Sequence, residues 1–298
     1  MLNVLTVDVE EHFHVAAFYS SVPPDSWGHQ PSRVEKNVNR VLEILDRHGV
    51  KATFFVLGWL AERRPDLVRR IASAGHEIGC HTFSHQMVYS QTPEQFRSDL
   101  RRARQVLLDA VQVPVTCFRA ANFSVVHSTP WAIDIIVEEG FLIDSSIFPI
   151  RHDIYGMPDA PRFPHWRSAA DGSAVFEFPA STIRRFGNNW GVGGGGWMRF
   201  APYQFTRWAL QQINEKEQMP AMVYFHPWEL DPGQPRIPAP LRSRVRHYTN
   251  LSTVEGKLDR LLTDFQFSTL TEVSRGLEIY RSKGTNPGIR IQRATAPE

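Results

Sequence analysis

Short apolar runs alternate along the chain with longer stretches in which apolar residues recur every three or four positions. "LNVLTVD" (2–8) predicts a buried strand, and Val34, Val38, Val41, Leu42 and Leu45 then keep helical spacing until Gly49 stops the helix. Strand "KATFFVL" (51–57) precedes a helix opened by Pro65 and closed at Gly75. Strand "HEIGC" (76–80) precedes a longer helix, in which Thr92, Pro93 and Gln95 form a capping signal ahead of Phe96, Leu100, Ala103 and Leu107. Strand "VTCF" (115–118), a helix over 130–139 stopped by Gly140, and strand "FLID" (141–144) continue the series. An interruption rich in Pro, Arg and aromatics follows Asp144. Beyond it come strand "AVFEF" (174–178), the glycine-rich "GVGGGG" (191–196), a helix from Pro202, strand "AMVYF" (221–225), a helix over 251–265, strand "QFSTL" (266–270) and a last helix from Thr271.

Repeated strand-then-helix order argues for parallel strands, and seven or eight such units favour a closed, irregular barrel over an open sheet. A barrel enzyme collects its chemistry from the C-terminal ends of several strands. Asp8, His81, Arg119, Asp144 and His226 each sit at or directly after the end of an apolar strand.

Composition narrows the function. A hydrophobic content of 42% in 298 residues supports a sizeable core. The formal charge of +2 predicts no broad basic face for nucleic acid or an anionic bilayer. Arg101, Arg102 and Arg104 read as the solvated face of a helix. The N-terminus "MLNVLTVDVEEHFHV" lacks the pattern of a secretory signal, and no apolar run approaches the roughly 18 residues of a transmembrane segment. The expectation is a cytoplasmic protein, with peripheral association at the inner face of the membrane left open, as is the oligomeric state. Cys80 and Cys117 read as buried thiols rather than a disulfide. A single domain is expected over 1–280, and the apolar-poor segment 281–298 is expected to form a flexible tail.

The candidate chemistry begins at "CHTFSH" (80–85). His81 and His85 face one way if the segment makes a helical turn, and neutral imidazoles suit a divalent metal. A third, acidic ligand is available in "DVEEHFH". If the pleat of the first strand persists, Asp8 and Glu10 share one face, which makes Glu10 the ligand and leaves Asp8 free to take a proton from water activated by the ion. Glu11 and His12 remain alternative third ligands. Arg119 is expected to pair with Asp8. His226 would act as a general acid if it faces the metal and is tuned by a carboxylate. "GVGGGG" lacks the Lys-Ser/Thr of a phosphate loop and reads as a mobile or close-packed lid. A rival reading makes His12-Phe13-His14 the metal pair of an amidohydrolase-type barrel. Another is a sugar-binding scaffold without catalysis.

"VDVEEHFHV", "HTFSH", "FRAANFS", "DSSIFPIRHDIYG" and "YFHPWELDP" together resemble the polysaccharide deacetylase family, the NodB-homology or carbohydrate esterase family 4 enzymes. More closely they resemble the exopolysaccharide deacetylases of bacterial exosortase (PEP-CTERM) loci. The resemblance runs in order from residue 3 to 275 and implies a distorted (β/α) barrel with about seven parallel strands. It also implies a subfamily-specific C-terminal portion from about residue 145. The implied reaction is hydrolysis of N-acetyl groups on a glycan, with one divalent metal, most simply Zn2+, or Co2+, Ni2+, Fe2+ or Mn2+. Carried over by position, Asp8 is the base and Glu10, His81 and His85 are the metal ligands. Arg119 orients Asp8, and backbone N–H groups near Asn122 and Phe123 stabilise the oxyanion. Asp144 tunes His226, which protonates the amine, and with a glycan as substrate Trp190, Trp197, Trp228, Phe123 and Tyr155 are candidates to stack on sugar rings. The sequence departs from the usual motif where Val9 separates the two acids, where Ala121 replaces proline and where Tyr224 replaces leucine.

Overall fold

The computed structural model describes residues 1–152 and 154–280, so the tail expected at 281–298 lies outside the described residues. The first half runs β1 (Leu2–Val9), α1 (Val34–Arg47), β2 (Thr53–Val56), α2 (Gly58–Arg63), α3 (Pro65–Ser73), β3 (Glu77–Cys80), α4 (Pro93–Val111), β4 (Cys117–Phe118), α5 (Ala132–Glu138) and β5 (Ile143–Asp144). The second runs β6 (His165–Ser168), β7 (Ala174–Glu177), β8 (Thr182–Arg185), β9 (Asn188–Gly191), α6 (Gly196–Phe200), α7 (Tyr203–Gln211), β10 (Met222–Phe225), α8 (Leu241–Tyr248), α9 (Leu251–Asp264), β11 (Gln266–Ser268) and α10 (Leu270–Gly276).

Seven strands in the order β10-β1-β2-β3-β4-β5-β7 pair in parallel, as the alternating pattern requires, and β6 adds antiparallel to β7. β11 pairs in parallel with the first residues of β1, Leu2–Val4. The fold is therefore a mixed α/β structure built on a curled, mostly parallel sheet. The ring of strands is not closed by a β ladder among the described residues, because the free edge of β10 meets an irregular segment instead. Tyr224 N–H donates to Gly193 O (2.7 Å) and Met222 N–H to Ser181 Oγ (2.6 Å). A Cβ at Gly193 or Gly194 would run into the carbonyls of Met222 and Tyr224, so the glycines let two backbones touch. "GVGGGG" thus packs closely against β10, along the seam between that strand and the preceding irregular segment.

Two local expectations change. The helix expected from Pro65 is preceded by a separate one, α2, and the break falls at Arg64 (φ −135°, ψ 57°), where the following proline disfavours helical backbone. The β8–β9 hairpin, on the other hand, lies in sequence with no clean period-two pattern. The capping box at Thr92 and Gln95 is present with both of its hydrogen bonds.

Strand pleating sorts the side chains into two sets. Leu5, Val7, Phe54, Val56, Ile78, Cys80, Phe118 and Phe225 pack outward under the helices. Val4, Phe55, Cys117, Ile143, Phe176, Met222 and Tyr224 point inward, where Leu270 and Val273 of α10 join them. Leu270 N–H donates to Thr53 Oγ1 (2.8 Å), which fixes α10 against the N-terminal end of the sheet and leaves the opposite end open. No helix among the described residues is long and apolar enough to cross a membrane.

The approach to β3 carries a pH-sensitive contact. Ala52 N–H donates to His76 Nδ1 (3.2 Å), which requires a neutral ring. Burial and then nearby Lys51 push the His76 pKa down to about 4. The unfolded chain binds this proton near pH 6.5 while the folded chain resists it, so the contribution is complete above pH 6.5 and declines as pH falls toward 4. Urea unfolding of His76→Gln is therefore expected to lose about 1–3 kcal/mol of the stability change between pH 7 and 4. An identical pH slope in both proteins would exclude this role.

Candidate active site

Three acceptor atoms converge at the open end of the sheet. Glu10 Oε1 lies 3.0 Å from His81 Nε2 and 2.8 Å from His85 Nε2, and all three residues are buried. The protonation pattern follows from the partners of the other ring nitrogens. His81 Nδ1 sits 2.8 Å from Arg119 O, a carbonyl that can only accept, so Nδ1 carries the proton. Tyr19 donates its hydroxyl proton to His85 O (2.5 Å), and its oxygen then accepts from His85 Nδ1 (2.8 Å). With Nδ1 occupied in each ring, Nε2 meets the Glu10 carboxylate either through a proton of its own or, as a lone pair, through a shared cation, and two imidazoles with one carboxylate suit a divalent metal. Burial opposes charge on Glu10, but His85, His226 and His81, facing it as charged or hydrogen-bonding partners, outweigh it and hold the carboxyl well below its ordinary range.

The loop that carries the histidines is not the helical turn their spacing suggests. Thr82 (φ 62°) and His85 (φ 55°) both adopt left-handed backbone, a conformation that must be held from outside. Asp99 of α4 accepts the N–H groups of Phe83 (2.7 Å) and Ser84 (3.0 Å), and Thr82 O accepts Gly58 N–H (2.8 Å). Gly58 is required for this fit, because a Cβ there would lie 2.8 Å from the Phe83 ring.

Among the alternative third ligands, Glu11 is committed elsewhere. Its carboxylate accepts the Arg33 and Val34 N–H groups (3.0–3.1 Å) and the Ser32 hydroxyl, which caps α1 from a distant part of the sequence. His12 lies beside Glu11 (3.7 Å) rather than in the triad. His14 Nδ1 accepts Glu11 N–H (3.2 Å), and its ring packs against Trp27 and Trp59. Burial, with His85 nearby, holds its pKa well below 6.5. Among the described residues, Glu10, His81 and His85 form the one group able to hold a metal, which removes the support for the His12/His14 reading.

Asp8 occupies the same inward face as Glu10, as the pleat predicts, and both border the cleft. Arg119, fully buried, donates to Asp8 Oδ1 (2.6 Å), Thr6 Oγ1 (2.8 Å) and Ser145 Oγ (3.0 Å). Its guanidinium stacks on Phe55 at 4.3 Å, and Gly79 makes room for that ring, since a Cβ there would lie 2.5 Å from it. Next in sequence, Asn122 (φ 53°) and Phe123 (φ 51°) both take left-handed backbone. Phe123 N–H is already bonded to Ala120 O (3.1 Å), so of the two amides proposed for the oxyanion only that of Asn122 is available.

His226 also faces the triad, with Nε2 3.9 Å from Glu10 Oε1. Its tuning carboxylate is Glu229 and not Asp144. Glu229 Oε2 contacts His226 Nδ1 (3.2 Å) and accepts its N–H (3.0 Å), while Oε1 accepts Arg199 Nε (2.7 Å). Burial opposes the charged imidazolium, but Glu10, Glu229 and Asp8 prevail and raise the His226 pKa to about 9. Glu229 is likewise opposed by burial and brought down to about 2 by His226 and Arg199. Asp144 belongs to the outward face: Ile143 points inward, so Ser145, one residue later, is the one that meets Arg119. Asp144 instead lies with Glu177 and Arg167 (3.8 Å), where burial and then Glu177 raise its pKa well above the ordinary range. The sequence signal for Glu229 was its spacing in "HPWE", an acid three residues after the histidine with proline between.

The cleft above these groups measures about 1160 Å3, and Asn122, Phe123, Trp197 and Trp228 all border it. Trp228 is only 3% exposed and stacks on His226 (5.0 Å) and His247 (4.2 Å) with Arg199 over its ring, so it supports His226 instead of offering a face to a sugar. Phe123 is similarly enclosed by Phe148, Tyr155 and Tyr224. Trp197 is partly exposed.

Residues 25–133 match the polysaccharide deacetylase family, and residues 145–275 match a domain of unknown function, DUF3473. Over 68 residues the chain is 41% identical to a peptidoglycan-N-acetylglucosamine deacetylase of Bacillus cereus, which covers 23% of this chain and 25% of that protein. Over 103 residues it is 30% identical to a chitooligosaccharide deacetylase of Rhizobium leguminosarum bv. trifolii, covering 32% and 48%. The chain thus spans between a quarter and a half of these relatives. A solved structure from Mycobacterium smegmatis, assigned as a polysaccharide deacetylase, shares the fold with a TM-score of 0.63 at 19% identity over 100% of this chain and 94% of that one. His81, His85 and Arg119 fall in the first matched segment, Arg199, His226 and Glu229 in the second, and Asp8 and Glu10 precede both. The likeness to polysaccharide deacetylases thus rests on residues 25–133, and both matched segments contribute strands to one sheet and side chains to one cleft.

Proposed function

We propose that the protein is a metal-dependent N-deacetylase that removes N-acetyl groups from amino sugars of a polysaccharide or its biosynthetic intermediate. The observation that carries this reading is the convergence of Glu10, His81 and His85 beside two groups of opposite use, the arginine-held carboxylate of Asp8 and the carboxylate-paired imidazole of His226. When bound by Glu10, His81 and His85, a divalent cation supplies Lewis acidity that polarises a carbonyl and acidifies water. Zinc suits this donor set, and cobalt, nickel, iron and manganese are also accepted by it.

The chain's own groups divide the remaining work. Arg119 holds Asp8 through Oδ1 and leaves Oδ2 to accept the proton of the attacking water. As the acetamide carbonyl oxygen gains charge, the Asn122 N–H donates to it from a backbone fixed in left-handed geometry. His226, kept protonated by Glu229, gives its Nε2 proton to the sugar nitrogen as the C–N bond breaks, which yields acetate and a free amine. Trp190 and Trp197 both border the cleft with part of the ring exposed and are available to stack on a sugar ring.

Acetate release from N-acetylated glycans, with chelation and metal add-back, tests the reading. Asp8→Asn should keep its metal and lose about 10²–10⁴-fold in kcat, whereas His81→Ala should lose metal and activity together. Normal turnover by either variant would defeat the assignment. Glu229→Gln should retain metal but move the alkaline limb of kcat/KM to lower pH, since a carboxylate that raises the His226 pKa is gone. A limb that stays in place would remove Glu229 from this role.

A further inference from the structure

The net charge of +2 conceals a strong segregation. Residues 178–214 and 232–254 contain no Asp, Glu or Lys but carry eight arginines, which leaves the rest of the chain at −6. These two segments supply the β8–β9 hairpin, α6 and α8, all of which border the mouth of the cleft. Among the described residues, Arg184, Arg244 and Arg246 pair with no carboxylate, and Arg246 instead meets His152 (3.3 Å).

Large apolar side chains are exposed on the same elements. Phe186, at the hairpin tip, is 93% exposed and follows Arg184 and Arg185 directly. Leu241 (73%) and Val245 (50%) stand one turn apart on α8 between Arg242, Arg244 and Arg246, and Phe200 and Trp190 are exposed beside the cleft. Solitary exposed apolar residues are ordinary, but a set of them interleaved with arginine on the outer faces of elements that border one opening is the composition of a surface that inserts among anionic headgroups. A soluble anionic glycan would account for the arginines but gives Phe186 and Leu241 nothing to bury against.

We propose that the rim formed by the β8–β9 hairpin and α8 docks on an anionic lipid bilayer, so that the cleft opens toward the membrane and receives glycan presented there. The expectation from net charge, that no broad basic face exists, is thereby replaced by a polarised surface. The proposal goes beyond the deacetylase reading and does not need turnover to be tested.

The test is co-sedimentation of the full chain with vesicles of phosphatidylcholine alone or with 30 mol % phosphatidylglycerol, a composition chosen at about the charge density at which a basic rim responds. Binding is expected only to the anionic vesicles and should weaken between low salt and about 0.5 M salt. The Phe186→Ser/Leu241→Ser variant should partition about tenfold less, with an unchanged melting temperature and unchanged acetate release from a soluble oligosaccharide. Equal binding to both vesicle types, no binding to either, or undiminished binding by the variant would overturn the proposal. Retention on a soluble polyuronate without vesicle binding would likewise overturn it and assign the arginines to an anionic glycan. Loss of acetate release with vesicle binding intact would count against the catalytic reading alone.

Discussion

The structure depends on three candidate ligand atoms being held face to face. Glu10 Oε1 lies within 3.0 Å of both His81 Nε2 and His85 Nε2, and the second nitrogen of each ring is committed to an oxygen, which leaves Nε2 free to serve as a ligand in the neutral ring. Each commitment originates in a different element: Arg119 O at the end of β4 and Tyr19 in the loop after β1. The cost of the left-handed backbone at Thr82 and His85 is met by Asp99 and by the turn into α2. A cation bound at this candidate site would therefore be linked to the fold, since the atoms that would hold it are brought together only by these contacts.

Around this point the chain repeats one device. A buried arginine holds a buried carboxylate in place: Arg119 with Asp8, and Arg199 with Glu229. Removing Arg199 would strand Glu229 away from water, a change that is strongly destabilising for buried pairs, and removing Arg119 would leave Asp8 without its fixed orientation. The first pair exposes the acid itself to the cleft and the second places the acid behind an imidazole. In the proposed reaction one side of the cleft would accept a proton and the other deliver one, with both held by similar geometry.

Much of this was legible in the sequence because β structure has a period of two. The pleat placed Asp8 and Glu10 on one face, and the strand ends delivered His81, Arg119 and His226 to one rim. The same rule, applied to the fifth strand, points to Ser145 and away from Asp144, an outcome hidden because so short a strand does not reveal its phase. Glu11 was ambiguous for a different reason: its role as a cap for α1 depends on a contact with residues 32–34 that local pattern does not encode. The hairpin and the seam lay in glycine- and arginine-rich sequence whose order comes from tertiary contact with β10. The overall charge concealed the basic rim, because a sum carries no position.

The most direct measurement is the long-range 1H–15N correlation spectrum of the zinc-loaded protein, which reads the protonation of each imidazole nitrogen. Of the twelve histidines, His81 and His85 should both carry the proton on Nδ1 and show Nε2 shifted as a metal ligand. Protonated Nε2 atoms on these two rings, or ligation at His12 and His14 in their place, would contradict the account.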